Sequence, residues 1–395
     1  MRSIYRQIGD FIELIDVRNK DLRVNHLLGL SITKEFIPSV ANTVGTNMSN
    51  YKIIKKNQFA CSIMQVRRDK KMPVALLKEF DEAIISQAYP VFQVRDEEVL
   101  SPDYLMMWFS RAEFDRHACF LAVGGVRGSL EWDDFLEMQL PVPSIEIQRA
   151  IVKEYNTIVN RIKLNEQLNQ KLEETAQALY KYWFITEIKE EWNFYKLSDL
   201  IDISGGYSYR GEKLGKGKTY LLGMGCVSFT DRFLEKGMRL YSDDVPEKHL
   251  VGSGDIVIAT RQQTENFPIL GAPSKIPNSL NDYRMVIASN LYRVSNKSPF
   301  SNNLIFQLLR SDEYKEHIKL NAKGTTVGMI TKSDIEDFTF RFPDNDTVFE
   351  FEKKLSVIVN RIDQCALEVK NLEKLKSLLL NRMSIAESPK TEEVL

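Results

Sequence analysis

Two stretches of the chain place their inward-reading positions at alternating steps of four and three residues. The first runs Ile151, Tyr155, Ile158, Ile162, Asn165, Asn169, Leu172, Ala176, Leu179 and Trp183. The second runs Phe351, Leu355, Ile358, Ile362, Cys365, Val369, Leu372, Lys376, Leu379 and Met383. Such spacing is a heptad seam, the mark of a long helix that buries one stripe against a partner helix. No proline interrupts either stretch, while Pro141, Pro143 and Pro343 stand just before them, where a helix tolerates proline. Helices of about 40 residues would each span about 60 Å. The seam reads either as a spacer of defined length or as a helical hairpin at a domain edge. Asn165 and Asn169 weaken the first seam but can fix its register.

The two stretches belong to a larger repeat. Ile158-Val159-Asn160-Arg161-Ile162 recurs as Ile358-Val359-Asn360-Arg361-Ile362, an offset of 200 residues. The same offset pairs Pro143 with Pro343, Asp134 with Asp334, Gly124 with Gly324, Gly128 with Gly328 and His117 with His317. Further upstream the offset drifts, and Leu27-Leu28-Gly29-Leu30 resembles Leu221-Leu222-Gly223-Met224. A constant offset that includes glycines and prolines indicates tandem duplication of a globular domain followed by a helix.

Before each helix, short β-rich runs alternate with turns, among them 51–54, 90–94, 255–259 and 290–294, with helical stretches near 102–114 and 302–319. The expected class is α+β. Two mixed α/β domains with irregular, mainly antiparallel sheets are separated by two long helices packed as an antiparallel coiled coil, with a pseudo-two-fold internal repeat. The expected boundaries are 1–143 and 189–343 for the domains, 144–188 and 344–385 for the helices, and 386–395 for a tail. His117 and His317 read as packing residues.

Net charge is −1, so attraction to nucleic acid has to come from local patches. In the first half the patch is Lys52, Lys55, Lys56, Arg67, Arg68, Lys70 and Lys71. In the second half Arg210, Lys216 and Lys218 lie in a glycine-rich loop, and Arg261-Gln262-Gln263 follows a strand. Such side chains reach phosphates and base edges; singly, each reads equally well as a solvated surface residue. The paired loops Gly124-Gly125-Val126-Arg127-Gly128 and Gly324-Thr325-Thr326-Val327-Gly328 need glycine for a tight turn, or bring Arg127, Thr325 and Thr326 close to phosphate.

Catalytic signatures are missing from the sequence. Gly217-Lys218-Thr219 lacks a glycine at the spacing a phosphate-binding loop requires, because position 212 is Glu212. No HExxH, GxSxG or GxGxxG pattern occurs, and no tetrapeptide of the kind that grips a flipped adenine. Cys61, Cys119, Cys226 and Cys365 form no CxxC pair, so neither a metal site nor a disulfide framework is expected. With no apolar run of membrane-spanning length and a polar start, a cytoplasmic protein is expected.

The segment Leu140-Pro141-Val142-Pro143-Ser144-Ile145-Glu146-Ile147-Gln148-Arg149-Ala150-Ile151-Val152 resembles the junction that closes a target-recognition domain in type I restriction–modification specificity subunits. Gln148 keeps the family's place, and Ile147 departs from the usual Glu. The second copy, Phe340-Arg341-Phe342-Pro343, then Phe349-Glu350-Phe351-Glu352, lacks the Gln. Gly324-Thr325-Thr326 also resembles the family, whereas Gly125-Val126-Arg127 does not. The resemblance implies a non-catalytic subunit in which each domain reads half of a bipartite site on double-stranded DNA and helix length sets the gap. It implies partners too: two methyltransferase subunits, bound largely through the helices with Ile151, Tyr155, Ile158, Ile162, Leu172, Leu179, Ile358, Ile362, Leu372 and Leu379 in the seam, and two restriction subunits. S-adenosylmethionine, ATP and magnesium are then expected in those partners and no cofactor in this chain. The alternatives are a specificity module of another methyltransferase-linked defence system, a stand-alone DNA-modifying enzyme, or a scaffold without a DNA role.

Overall fold

In a computed structural model, residues 5–39, 47–123, 128–262, 268–324 and 327–383 are described. The chain divides into two compact units. One comprises residues up to Asn160 together with those from Leu372 onward, and the other is Arg161–Asn371.

The first unit carries strands β1 (Tyr5–Gln7), β2 (Ile12–Ile15), β3 (Leu27–Leu30), β4 (Phe36–Pro38), β5 (Lys52–Lys55), β6 (Phe59–Cys61), β7 (Val74–Leu76), β8 (Glu82–Ile85), β9 (Val91–Val94) and β10 (Gln139–Pro141). Its helices are α1 (Val66–Asp69), α2 (Pro102–Phe109), α3 (Ala112–Leu121) and α4 (Trp132–Glu137), followed by the long α5 (Ile145–Lys181). The second unit repeats the plan with β11 (Asn193–Lys196), β12 (Ile201–Gly205), β13 (Leu214–Leu222), β14 (Arg239–Tyr241), β15 (Leu250–Val251), β16 (Ile256–Ala259), β17 (Arg261–Gln262), β18 (Pro273–Lys275), β19 (Arg284–Ile287), β20 (Leu291–Asn296), β21 (Gly328–Met329) and β22 (Thr339–Phe342). Its helices are α6 (Leu197–Leu200), α7 (Asn302–Leu308), α8 (Asp312–Asn321) and α9 (Lys332–Glu336), followed by the long α10 (Asn345–Arg382). Among the described residues no helix is long and apolar enough to cross a membrane.

Sheet order confirms the duplication strand by strand. The first unit has sheets β2-β9-β6-β7 and β4-β3-β8-β5; the second has β12-β20-β16-β18 and β14-β13-β19-β15. In both, one pair is parallel, β3 with β8 and β13 with β19, in otherwise antiparallel sheets. The strands are buried runs as much as alternating ones: Ile256–Ala259 is buried throughout. Phe59 stacks flat on Phe92 at 5.0 Å in the first core, and Phe184 meets Phe342 at 4.8 Å in the second.

Each unit closes its core over parts of both long helices. In the first, Ile151, Val152 and Tyr155 of α5 and Leu380 with Met383 from the far end of the chain pack on one cluster. In the second, Ala176, Tyr180, Val348, Phe351, Leu355 and Val359 do the same. Within the second unit the pairing is antiparallel: Arg161 bonds Glu368 at 2.6 Å and Tyr180 meets Phe351 at 6.2 Å, so numbers rise on one helix as they fall on the other. The seam positions Ile162, Ile362 and Leu379 are buried, and Ile151, Tyr155, Ile158, Leu172, Leu179, Ile358 and Leu372 are half-buried. Asn165 is buried beside them.

The junctions explain the residues that carried the family resemblance. Gln148 is fully buried and its amide donates to the carbonyls of Val99 and Pro143, while its oxygen accepts from Ser101 N at 2.9 Å. Position 348 is valine, and the equivalent amide, Ser301 N, donates instead to Glu352, one helical turn later, at 2.5 Å. The second copy therefore keeps the bond although it lacks the glutamine.

The second unit holds a buried polar cluster. Glu173 of α5 accepts from Arg232 at 3.1 Å and from Arg310 at 2.5 Å, all three being nearly inaccessible. Nearby Lys275, 8% exposed, donates to Asn303. Burial, helped by Arg232, pushes its ammonium down to about 8.

Glu173→Gln leaves two guanidinium groups without a buried counter-charge, so chemical denaturation of the full chain should show the second unit losing about 3–5 kcal/mol; an unchanged midpoint would show that the triad contributes nothing. For Lys275 the folded pKa lies below the unfolded value, so the unfolded chain holds the extra proton between about pH 8 and 10.5 and stability gains from this group as pH rises through that window. Lys275→Met should abolish this increment, which is read as the difference between variant and parent across pH 7–11; parallel pH profiles would refute it.

Candidate nucleic-acid interface

The structure separates the basic strip of the first unit into two places. Lys52 is half-buried and donates to the carbonyl of Tyr89 at 2.9 Å; burial holds its ammonium below the usual lysine range. It is thus turned into the domain rather than toward solvent. Lys55 and Lys56 are exposed at the end of β5, in a turn whose Asn57 reaches Glu97.

Arg67, Arg68, Lys70 and Lys71 lie elsewhere, on and just after α1, all exposed. This single turn is entered at Gln65 and left at Lys70, both with left-handed φ (63° and 53°), and is pinned by the fully buried Val66. Left-handed backbone at residues with a Cβ costs of order 1 kcal/mol each and persists only where its surroundings impose it. Arg68 is drawn to Asp69 at 2.6 Å. Arg67 N donates to Gly128 O at 3.3 Å, and a Cβ on Gly128 would come within 2.6 Å of the arginine's own Cβ. Glycine is therefore required there by close approach to Arg67. Arg127 lies outside the described residues.

The second unit again has two places. Between Leu214 and Thr219, both registered opposite Tyr241, β13 bulges outward. Gly215 and Gly217 take φ of +80° and +96°, and a Cβ at Gly217 would strike Tyr241 O. The bulge exposes Lys216 and Lys218. Arg210, also exposed, is fixed through its amide, which donates to the Tyr241 hydroxyl at 3.1 Å. Tyr207 and Tyr209 flank the same tyrosine at 6.1 and 6.4 Å. These aromatics were missed in the sequence although the run Tyr207-Ser208-Tyr209-Arg210 signals them. Cations interleaved with aromatic faces can hold phosphate and stack bases.

The other place is the β17–β21 pair, which registers Arg261 with Met329 and Gln262 with Gly328. Arg261 is exposed. Gln262 is buried and its oxygen accepts from Ile269 N at 2.6 Å, so it supports the chain locally. Gln263, Thr325 and Thr326 lie outside the described residues. His317 bonds the carbonyl of Asp334 at 2.7 Å, a packing role, whereas His117 is exposed because Phe114 and Ala118 occupy the inner face of α3.

The arrangement that recurs is an arginine-bearing segment against the glycine turn that follows α3 in one unit and α8 in the other. It is Arg67 beside Gly128 in one unit and Arg261-Gln262 beside Gly328-Met329 in the other. No sequence spacing links these partners, but the shared fold brings them together twice.

A family model described as the type I restriction modification DNA specificity domain matches residues 6–174 and 189–378, one copy for each half of the repeat. The chain is 22% identical over 401 residues to the type I restriction enzyme HindI specificity subunit of Haemophilus influenzae, covering 84% of this chain and 86% of that one. It is 24% identical over 267 residues to the MjaVIII specificity subunit of Methanocaldococcus jannaschii, covering 62% and 61%. In fold it is similar to a crystal structure of a type I restriction-modification system S subunit from M. genitalium, with a TM-score of 0.54 at 13% identity over 96% of this chain and 95% of that one.

Removing cations from the exposed bulge tests the site directly. Lys216→Ala/Lys218→Ala should weaken duplex DNA binding and flatten the plot of log K against log salt by about 0.9 for each phosphate that is no longer neutralised. A slope equal to the parent's would remove the bulge from the interface.

Proposed function

The chain belongs to the type I restriction modification DNA specificity family, and on that premise we propose that it is the subunit that selects the DNA sequence on which a type I restriction–modification enzyme acts. The observation that carries this reading is the twofold recurrence, in units of identical strand order, of an exposed arginine beside a glycine turn. In this reading each unit reads one half of a bipartite duplex site. Lys55, Lys56, Arg68, Lys70, Lys71, Arg210, Lys216 and Lys218 hold phosphates and set position, while Arg67 and Arg261 reach base edges, where a bidentate arginine distinguishes guanine. Arg127, Gln263, Thr325 and Thr326 are candidates for the same interface. The chain performs no chemistry of its own. Two methyltransferase subunits and two restriction subunits assemble with it, and S-adenosylmethionine, ATP and magnesium ions belong to them.

The test is a genome-wide map of adenine methylation in a methylation-free host expressing this chain with its neighbouring methyltransferase subunit, against the same host without this chain. New methylation at a split motif, dependent on this chain, is the expected result. If none appears although the methyltransferase co-purifies with the chain, the specificity role is wrong.

A further inference from the structure

The two most exposed large apolar side chains among the described residues are Phe120, 84% exposed, and Leu320, 80% exposed. They stand 200 residues apart, at equivalent places in the duplicated units. Each is the penultimate residue of its helix, α3 or α8. On both helices the inner face is already filled, by Phe114 and Ala118 in one and by Tyr314 and Ile318 in the other. Two residues beyond Ala118 or Ile318 the helix has turned about 200°, so Phe120 and Leu320 project away from the core.

One exposed apolar residue needs no explanation. Two at matched positions, each leading into the glycine turn that meets the arginine-bearing segment, point to something that covers both. After α3 the chain reaches Val123, 59% exposed, which bridges Ser129 next to Gly128 and Arg67. After α8 it reaches Lys323, which bridges Met329, the cross-strand neighbour of Arg261. Met329 is itself 44% exposed, the exposed Lys323 bridged to it lies 3.6 Å from Asp334, and Lys319 is exposed next to Leu320 in the sequence. Leu320 is thus flanked along the chain by the exposed Lys319 and Lys323, and Phe120 lies three residues before the Val123–Ser129 bridge beside Gly128 and Arg67, which suits a polyanion with apolar faces between its charges. A protein groove would favour an uncharged surround.

We propose that Phe120 and Leu320 are apolar wedges that pack against the bases of the target duplex, one in each half-site. The inference rests on the DNA-specificity reading above and deepens it. Phosphates are held by the surrounding lysines and arginines, and the wedge meets the stacked bases or partly parts a base step, as apolar side chains do in DNA-bending proteins. A phenyl ring on one half-site and an isobutyl group on the other would then contribute unequally, because an aromatic face stacks on any base while an aliphatic tip packs on edges and methyl groups.

The experiment uses the chain assembled with its methyltransferase partner and a duplex bearing the split motif that the methylation map defines. Phe120→Ser and Leu320→Ser remove solvent-exposed groups and should leave assembly intact. Phe120→Ser should weaken binding of that duplex about tenfold, within the range for removing one side chain that stacks on a base, and Leu320→Ser should weaken it by less, both with the salt slope unchanged. Phe120→Trp should keep the affinity, and its added fluorescence, relative to the parent complex, should be quenched when duplex is added. Parental affinity in both serine variants would overturn the wedge while leaving the specificity role standing. Loss of methyltransferase co-purification in the absence of DNA would also overturn it, and would assign the surface to the protein partner. A parent complex with no preference for any duplex would remove the underlying reading and the wedge with it.

Discussion

A long amphipathic helix must hide its apolar residues, and here the partner helix and the globular cores share that task. The heptad seam buries one strip, with Ile162 and Ile362 among its most enclosed members. Tyr180 of α5 and Phe184 just beyond its end lie in the core of the second unit, with the seam residues Ala176, Phe351 and Leu355 and with Val348 and Val359 of α10. The helices are thus constituents of the globular cores, and each domain takes its place on the helices through side chains buried in common. The polar contacts refine this attachment: Gln148 and Glu352 receive the Ser101 and Ser301 amides, and Glu173 holds Arg232 and Arg310. Bonds of this kind tolerate little misplacement, because a buried charge left unpaired costs several kcal/mol.

Much of this was legible in the sequence. The seam needs only periodicity, and the duplication needs only a constant offset. The resemblance of Leu27-Leu28 to Leu221-Leu222 survives in space as well: both pairs lie on the parallel partner of a central strand, against Ile84-Ile85 and Val286-Ile287. The burial of Tyr180, Phe184, Val348 and Val359 is not legible from the period because these residues lie off the seam and pack in a domain core. Glu173 was hidden more completely, since nothing in a helical sequence distinguishes a carboxylate in a buried triad from one in water.

The candidate interface is a matter of composition in the sequence and of geometry in the fold. Arginines, lysines and glycines pick out candidate segments, and the fold decides which of them face outward. Lys52 and Gln262 turn inward because a backbone group needs each of them, Tyr89 O in one case and Ile269 N in the other. Arg67 and Gly128 meet only because α1 packs near α3, a tertiary contact with no local signal. The loss of Gln148 in the second copy reads as divergence in the sequence. In the structure it is a substitution of role, with Glu352 reaching the same amide from the next turn.

The division of the cores also bears on how the molecule is made. The second unit is one unbroken stretch, Arg161–Asn371, whereas the first takes in residues from Leu372 onward. Leu380 packs against the first unit's core and Met383, 1% exposed, is part of it. During synthesis, which proceeds from the N-terminus, domains fold as units once their residues have emerged. The unit translated first is therefore the one completed last, its core left open at the place of Met383 until the end of α10 has left the ribosome.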